Sequence, residues 1–186
     1  MDIALKISKF TFVFIATYFC IGIANAESEG SVATECPIPE QLSSKMTPVD
    51  LYGALPACIN KADYKTAVLV FGLAGMYGKF DTMRVVDVTA HQAVGFLKTM
   101  AFDSTQPTQK SAFQKEAGET FDNKDRRASL CENINKIGPP DYFPKYMVLH
   151  GLRAFNGADQ SNNGLVVPFN AEVAWKQSLS SYLHCN

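Results

Sequence analysis

Four residues within one short stretch carry the side chains of acid–base chemistry: Asp81, Arg84, Asp87 and His91. On a helix, positions 84, 87 and 91 share a face, and the step from Asp87 to His91 sets a carboxylate one turn before an imidazole. A carboxylate so placed holds one imidazole tautomer and raises its basicity, as a general base in a small hydrolase requires. The same spacing describes an exposed ion pair on an amphipathic helix, with Asp87 serving Arg84 as readily as His91. That plainer arrangement is the expectation, and the hydrolase built on His91, Asp87 and Arg84 is the alternative.

Metal and nucleophile chemistry find less support. The histidines are His91, His150 and His184, separated by 59 and 34 residues, and neither gap has metal-ligand spacing. His150 falls among aromatics and reads as a core histidine. There is no G-x-S-x-G, no H-E-x-x-H and no phosphate-binding glycine loop. No metal and no cofactor are expected.

A second cluster offers contact rather than catalysis. In Gly138-Pro139-Pro140-Asp141-Tyr142-Phe143-Pro144-Lys145-Tyr146 the prolines stiffen the chain around three aromatics, Tyr142, Phe143 and Tyr146. Rigid rings on a stiff loop supply contact area at low entropic cost, which marks a binding surface. The competing reading is a buried connection whose rings fill the core.

Compartment follows from the first residues and the cysteines. Lys6 and Lys9 precede an apolar run of about 14 residues from Phe10 to Ile23, and Ala24-Asn25-Ala26 closes the segment. The run is short of the roughly 20 residues a membrane-spanning helix needs, so residues 1–26 are expected to be a cleaved signal peptide. Cleavage removes Cys20 and leaves Cys36, Cys58, Cys131 and Cys185. An even count in an exported chain implies two disulfides with three possible connectivities. Cys58 with Cys131 and Cys36 with Cys185 is the preferred pairing. No C-x-x-C is present, and the nearest two cysteines lie 22 residues apart, which excludes a thiolate metal site.

The remaining 160 residues fit one domain. Removing Asp2, Lys6 and Lys9 changes the balance from 17 basic and 18 acidic groups to 15 and 17, a net charge near −2. That balance gives no case for nucleic acid or an anionic membrane surface. Lys124, Arg126 and Arg127 form the one basic knot, and Asp122 and Asp125 interleave it.

The elements that must position these groups read as helices. Residues 27–44 are a polar, proline-bearing lead-in, and the domain proper covers 45–186. Thr47-Pro48-Val49-Asp50 starts a first helix, with hydroxyl cap, proline and first-turn acid in their favoured places. Pro56 is expected to kink or end it. Tyr64, Ala67, Val68, Phe71 and Gly75 define the face of a second helix, about 62–77. Val86, Ala90, Ala93, Leu97 and Met100 define that of a third, about 82–100. Gly75 to Asp81 then serves as the joint between them, although one bent helix is an alternative. Further helices are expected over about 109–121, 124–137, 145–155 and 171–183. Gly138-Pro139-Pro140 stops the second of these, and Asn170 caps the last. Leu165 to Phe169 makes a short extended segment. The fold class is all-α, about six or seven helices and almost no sheet, because every strong periodicity lies near 3.6.

Leu51, Ala54 and Leu55, followed by Asp63-Tyr64 and by Ala67, Phe71 and Ala74 in an A-x-x-x-F-x-x-A register, resemble one tetratricopeptide helix pair. Leu73-Ala74-Gly75-Met76-Tyr77 is similar to the phrase that opens a Sel1-like repeat. The resemblance covers about residues 51–81 and implies a helix-pair scaffold that binds another protein or a peptide along a groove.

The resulting expectation is a periplasmic or secreted helical protein-binding module without catalytic chemistry, such as an adaptor, an inhibitor or an immunity protein. Its partner is a protein of the cell envelope, with neither nucleic acid nor stable membrane insertion involved. A structural envelope protein is a further alternative.

Overall fold

A computed structural model describes residues 35–155 and 161–185; the expected signal peptide lies outside them. The described residues form eight α-helices: α1 Pro48–Asn60, α2 Tyr64–Arg84, α3 Ala93–Asp103, α4 Pro107–Asp122, α5 Lys124–Ile137, α6 Lys145–Val148, α7 Leu152–Phe155 and α8 Ala171–Tyr182. A 3-10 turn, Val88–Gln92, leads into α3. Among the described residues there is no strand, only an isolated antiparallel bridge between Val85 and Leu165.

Local chemistry sets the boundaries. Thr47 caps α1 and exchanges hydrogen bonds with Asp50: the Thr47 amide donates to Oδ2 at 2.8 Å, and the Asp50 amide to the threonine hydroxyl at 3.3 Å. Asn123 and Asn170 cap α5 and α8 through their side-chain oxygens. Gly138, at φ +87°, ends α5. Pro56 does not end α1, which continues to Asn60. The turn beyond it buries Cys58 and Ile59 completely, and the disulfide from Cys36 anchors it, which outweighs the one backbone bond that proline removes.

α2 is the axis of the molecule. Val70, Leu73, Ala74, Met76 and Tyr77 are fully buried, and α1, α4, α5 and α8 pack around it. The expected joint from Gly75 to Asp81 is therefore replaced by uninterrupted helix. Its glycines are sites of close approach rather than turn residues. A Cβ at Gly75 would collide with the Tyr182 hydroxyl of α8, and one at Gly78 would lie 2.6 Å from Val94 of α3. The real break comes at Val85–Asp87, and the expected third helix shortens to α3. Ala90 and Ala93 are buried as expected, but Val86 and Met100 face outward.

The preferred cysteine pairing is also corrected. Cys36 bonds to Cys58, pinning the lead-in to α1, and Cys131 bonds to Cys185, pinning α5 to the residues after α8. The lead-in is not wholly irregular, since Pro39–Gln41 form a 3-10 turn and Leu42 is buried.

Candidate binding face

The last turn of α2 builds a buried polar knot. Asp81 has no exposed surface. Its Oδ1 accepts from Arg84 Nε at 2.7 Å, with Nη2 of the same guanidinium 2.7 Å away. Its Oδ2 accepts from the hydroxyls of Tyr142 at 2.9 Å and Tyr146 at 2.8 Å. The guanidinium lies over two rings, Phe80 at 5.2 Å and Tyr142 at 5.0 Å. Burial pushes the Asp81 carboxyl up, while Arg84 and the two phenols pull it back. Burial first, and then the Asp81 charge, raise Tyr142 and Tyr146 far above the ordinary tyrosine range, so both remain protonated donors. With no route to solvent, this carboxylate is a tie between helices rather than an acid or base.

Tyr142 and Tyr146 thus turn inward, away from the surface expected of them, and only Phe143 of that trio is an exposed large apolar side chain. The segment carrying them is a connection packed on α2, where an aromatic ring fills space and its hydroxyl satisfies a buried charge. Asp81 lies 61 and 65 positions before the two tyrosines, so no local spacing announces the contact.

Asp87 and His91 do not form a dyad. The helical register that would align them is absent, because Asp87 lies outside any helix and His91 sits in the 3-10 turn. Asp87 Oδ1 accepts from the Thr89 amide at 3.0 Å and the Thr89 hydroxyl at 2.6 Å, and Oδ2 accepts from the Arg153 amide at 2.9 Å. The Thr89 hydroxyl and the Arg153 amide hold the Asp87 carboxyl below the usual aspartate range. The Thr89 Oγ1 in turn accepts from the Leu152 amide at 2.9 Å. His91 Nε2 lies 3.0 Å from the Val85 carbonyl, an acceptor, which makes Nε2 the protonated nitrogen. Arg84 is committed to Asp81. The three residues of the hydrolase alternative therefore point to three separate partners.

The Asp87–Thr89 pair clasps the first turn of α7, which explains why one expected helix over 145–155 becomes two short ones. Gly151 sits where a side chain would strike the Asp87 carboxylate. The chain between α6 and α7 is thereby drawn onto the 3-10 turn, and these elements, with α3 packed beside them, carry apolar side chains that the core does not take. Val88, Phe96, Met100, Leu149 and Leu152 are 73, 58, 52, 54 and 60 % exposed. His150 belongs to this face and not to the core: its ring stacks on Phe96, centroids 6.2 Å apart. A pocket of about 270 Å³ is lined by Val86, Val148, Leu165 and Val167, together with Asp87, Arg153 and Asn162.

Sequence reasoning missed this face because it reads apolar residues at helical spacing as core. No cluster of three or more metal-ligating side chains occurs among the described residues. His184 lies in a separate cleft between α5 and α8, far along the chain from His91 and His150. Comparison of the chain with protein-family models, curated proteins and solved structures finds no match.

Proposed function

We propose that this chain is an exported, disulfide-stapled helical module that works by binding another protein, as an adaptor, an inhibitor or an immunity protein does. The contact surface is the face formed by the 3-10 turn Val88–Gln92, α3, α6 and α7. One observation carries the reading: five large apolar side chains, each at least half exposed, lie on the 3-10 turn, on α3 packed against it and on the stretch from Leu149 to Leu152 that is hydrogen-bonded to it. Single exposed apolar residues are ordinary, but a gathered set is typical of interaction sites. The structure supports contact over chemistry at this face, since Asp87 spends both oxygens on holding α7.

Two disulfides suit an oxidising compartment. Among the described residues no helix is long and apolar enough to cross a membrane. The periplasm or the exterior is the compartment we propose, and the partner is an envelope or delivered protein. The tetratricopeptide-like residues contribute scaffold rather than groove, because Leu51, Ala54, Leu55, Ala67 and Ala74 are all interior.

The test is a pull-down from periplasmic extract with the oxidised 27–186 chain, beside a Phe96→Asp, Leu152→Asp double variant of matched helicity. Both positions are more than half exposed, and matched helicity checks that the variant folds. A partner that is stoichiometric with the native chain, rebinds it when purified and ignores the variant is the expected result. Equal capture by both proteins, or no partner, overturns the assignment of this face.

A further inference from the structure

The two disulfides stand in different surroundings. Cys131 and Cys185 are both partly exposed and both line the cleft between α5 and α8, whose volume of about 560 Å³ is in the range of small-molecule sites. Cys58 of the other bridge has no exposed surface. In thiol–disulfide exchange a thiolate attacks one sulfur and the other departs as a thiolate, so access to the first and stabilisation of the second set the rate.

Charge favours the same bridge. Arg127 lies one helical turn before Cys131, and Lys124 one turn before that, so both cations share the face of α5 that carries the sulfur. Both line the cleft. Arg127 spends one N–H on the Phe121 carbonyl, but neither side chain has a carboxylate partner among the described residues. The acid in the lining, Glu132, is paired with Lys136 at 2.8 Å, and the cleft's Lys176 is paired with Glu172 at 2.6 Å. Asp122 and Asp125, close to Lys124 in sequence, do not line the cleft. Two uncompensated cations therefore remain beside the bridge, where they draw in an anionic thiol and lower the pKa of a departing cysteine.

We propose that Cys131–Cys185 is a site of thiol–disulfide exchange with a small anionic thiol. The incoming thiolate attacks Sγ of Cys185, the bond between the two cysteines breaks, and Cys131 leaves as a thiolate beside Arg127 and Lys124. A second thiolate then displaces the first from Cys185. Two thiols become one disulfide, and the bridge gains two electrons and, as its thiolates protonate, two protons. The end of α8 thereby loses its covalent tie to α5. Cys36–Cys58 resists the same reagent, because a departing Cys58 would leave a thiolate buried among apolar side chains.

The test incubates the oxidised 27–186 chain with reduced glutathione at neutral pH, quenches timed samples by alkylation and maps the peptides. Expected are glutathione on Cys185, a free thiol at Cys131, and opening of this bridge about tenfold or more faster than opening of Cys36–Cys58. A Lys124→Gln, Arg127→Gln double variant should slow the opening of Cys131–Cys185 several-fold, and Arg127→Lys should retain it; high salt should slow the native chain. A variant that merely unfolded more readily would open both bridges faster, so slowing confined to one bridge is not a folding effect. Glutathione on Cys131, opening of Cys36–Cys58 first or at the same rate, or an unslowed double variant overturns the proposal.

Discussion

Asp81 and Arg84 form an ion pair that the sequence makes look like surface chemistry and the fold makes structural. Three residues apart on a helix, they read as a common intrahelical pair worth a few tenths of a kcal/mol in water. The surroundings change that value, because the aspartate is fully buried and the guanidinium side chain is only 11 % exposed. A buried pair adds little over a well-packed apolar substitute, yet breaking it leaves a desolvated charge without a counterion. Asp81→Asn keeps the shape, strands Arg84 and weakens two phenol contacts. We expect a loss of about 3–5 kcal/mol, read as a lower urea midpoint at unchanged slope. Tyr142→Phe removes one donor of several and should cost less, about 1.5–3 kcal/mol. Asparagine at 81 with wild-type stability would show that the knot is not what joins α2 to the segment 142–146. None of this was legible beforehand: the spacing offers Asp87 to Arg84 and sets Tyr142 and Tyr146 on a surface, whereas the meeting of Asp81 with all three is a product of tertiary packing.

At the level of elements, the sequence is most readable where a single local device decides the outcome. Thr47, Asn123 and Asn170 start helices because each side-chain oxygen satisfies an amide within three residues, and Gly138 stops one because only glycine takes its backbone angle cheaply. It misleads where one residue type has two uses. Gly75 and Gly78 were read as turn residues, whereas in α2 they open space for Tyr182 and Val94. Asp87 and His91 suffered a similar misreading: their spacing suits an α-helix, but the backbone there begins a 3-10 turn that Asp87 itself caps. The clasp from Asp87 and Thr89 to α7 yields a pH prediction. Bonds from Thr89 and the Arg153 amide hold the folded carboxyl below its ordinary value of 3.8. Its contribution is therefore complete above that value and declines as pH falls through the lower, folded one. The stability difference between wild type and Asp87→Asn should be constant from neutral pH down to about 4 and shrink below it. Amide exchange at Leu152 and Arg153 should accelerate over the same window. A difference that grows on acidification would show that the carboxylate is not the acceptor that holds α7.

Over the whole molecule the disulfides close what helix packing leaves open. The all-α class was legible because the apolar period near 3.6 recurs from Leu51 to Leu183, and the even cysteine count fixed the number of bridges. The pairing was not, because it depends on which helix ends meet: Cys36 reaches the last turn of α1, the end farther from it in sequence, and Cys185 reaches α5 once α8 has packed on α2. The two bridges span 22 and 54 residues. By loop-closure entropy they restrict the unfolded chain by about 3 and about 4 kcal/mol respectively. They also hold different things. Cys36–Cys58 secures the lead-in and the α1 turn after Pro56, whereas Cys131–Cys185 secures α8, whose Trp175 packs on Tyr77 and Phe80 of α2. Replacing Cys131 and Cys185 together by alanine should therefore lower stability more than replacing Cys36 and Cys58, and it should increase protease cleavage in the last helix. Neither bridge has a cysteine in the 3-10 turn Val88–Gln92, α3, α6 or α7, so partner binding by the folded fraction should survive both replacements. Non-reducing peptide maps check the pairing first. A Cys58–Cys131 peptide would overturn it, and loss of binding in a still-folded Cys131→Ala, Cys185→Ala variant would move the contact surface toward α8.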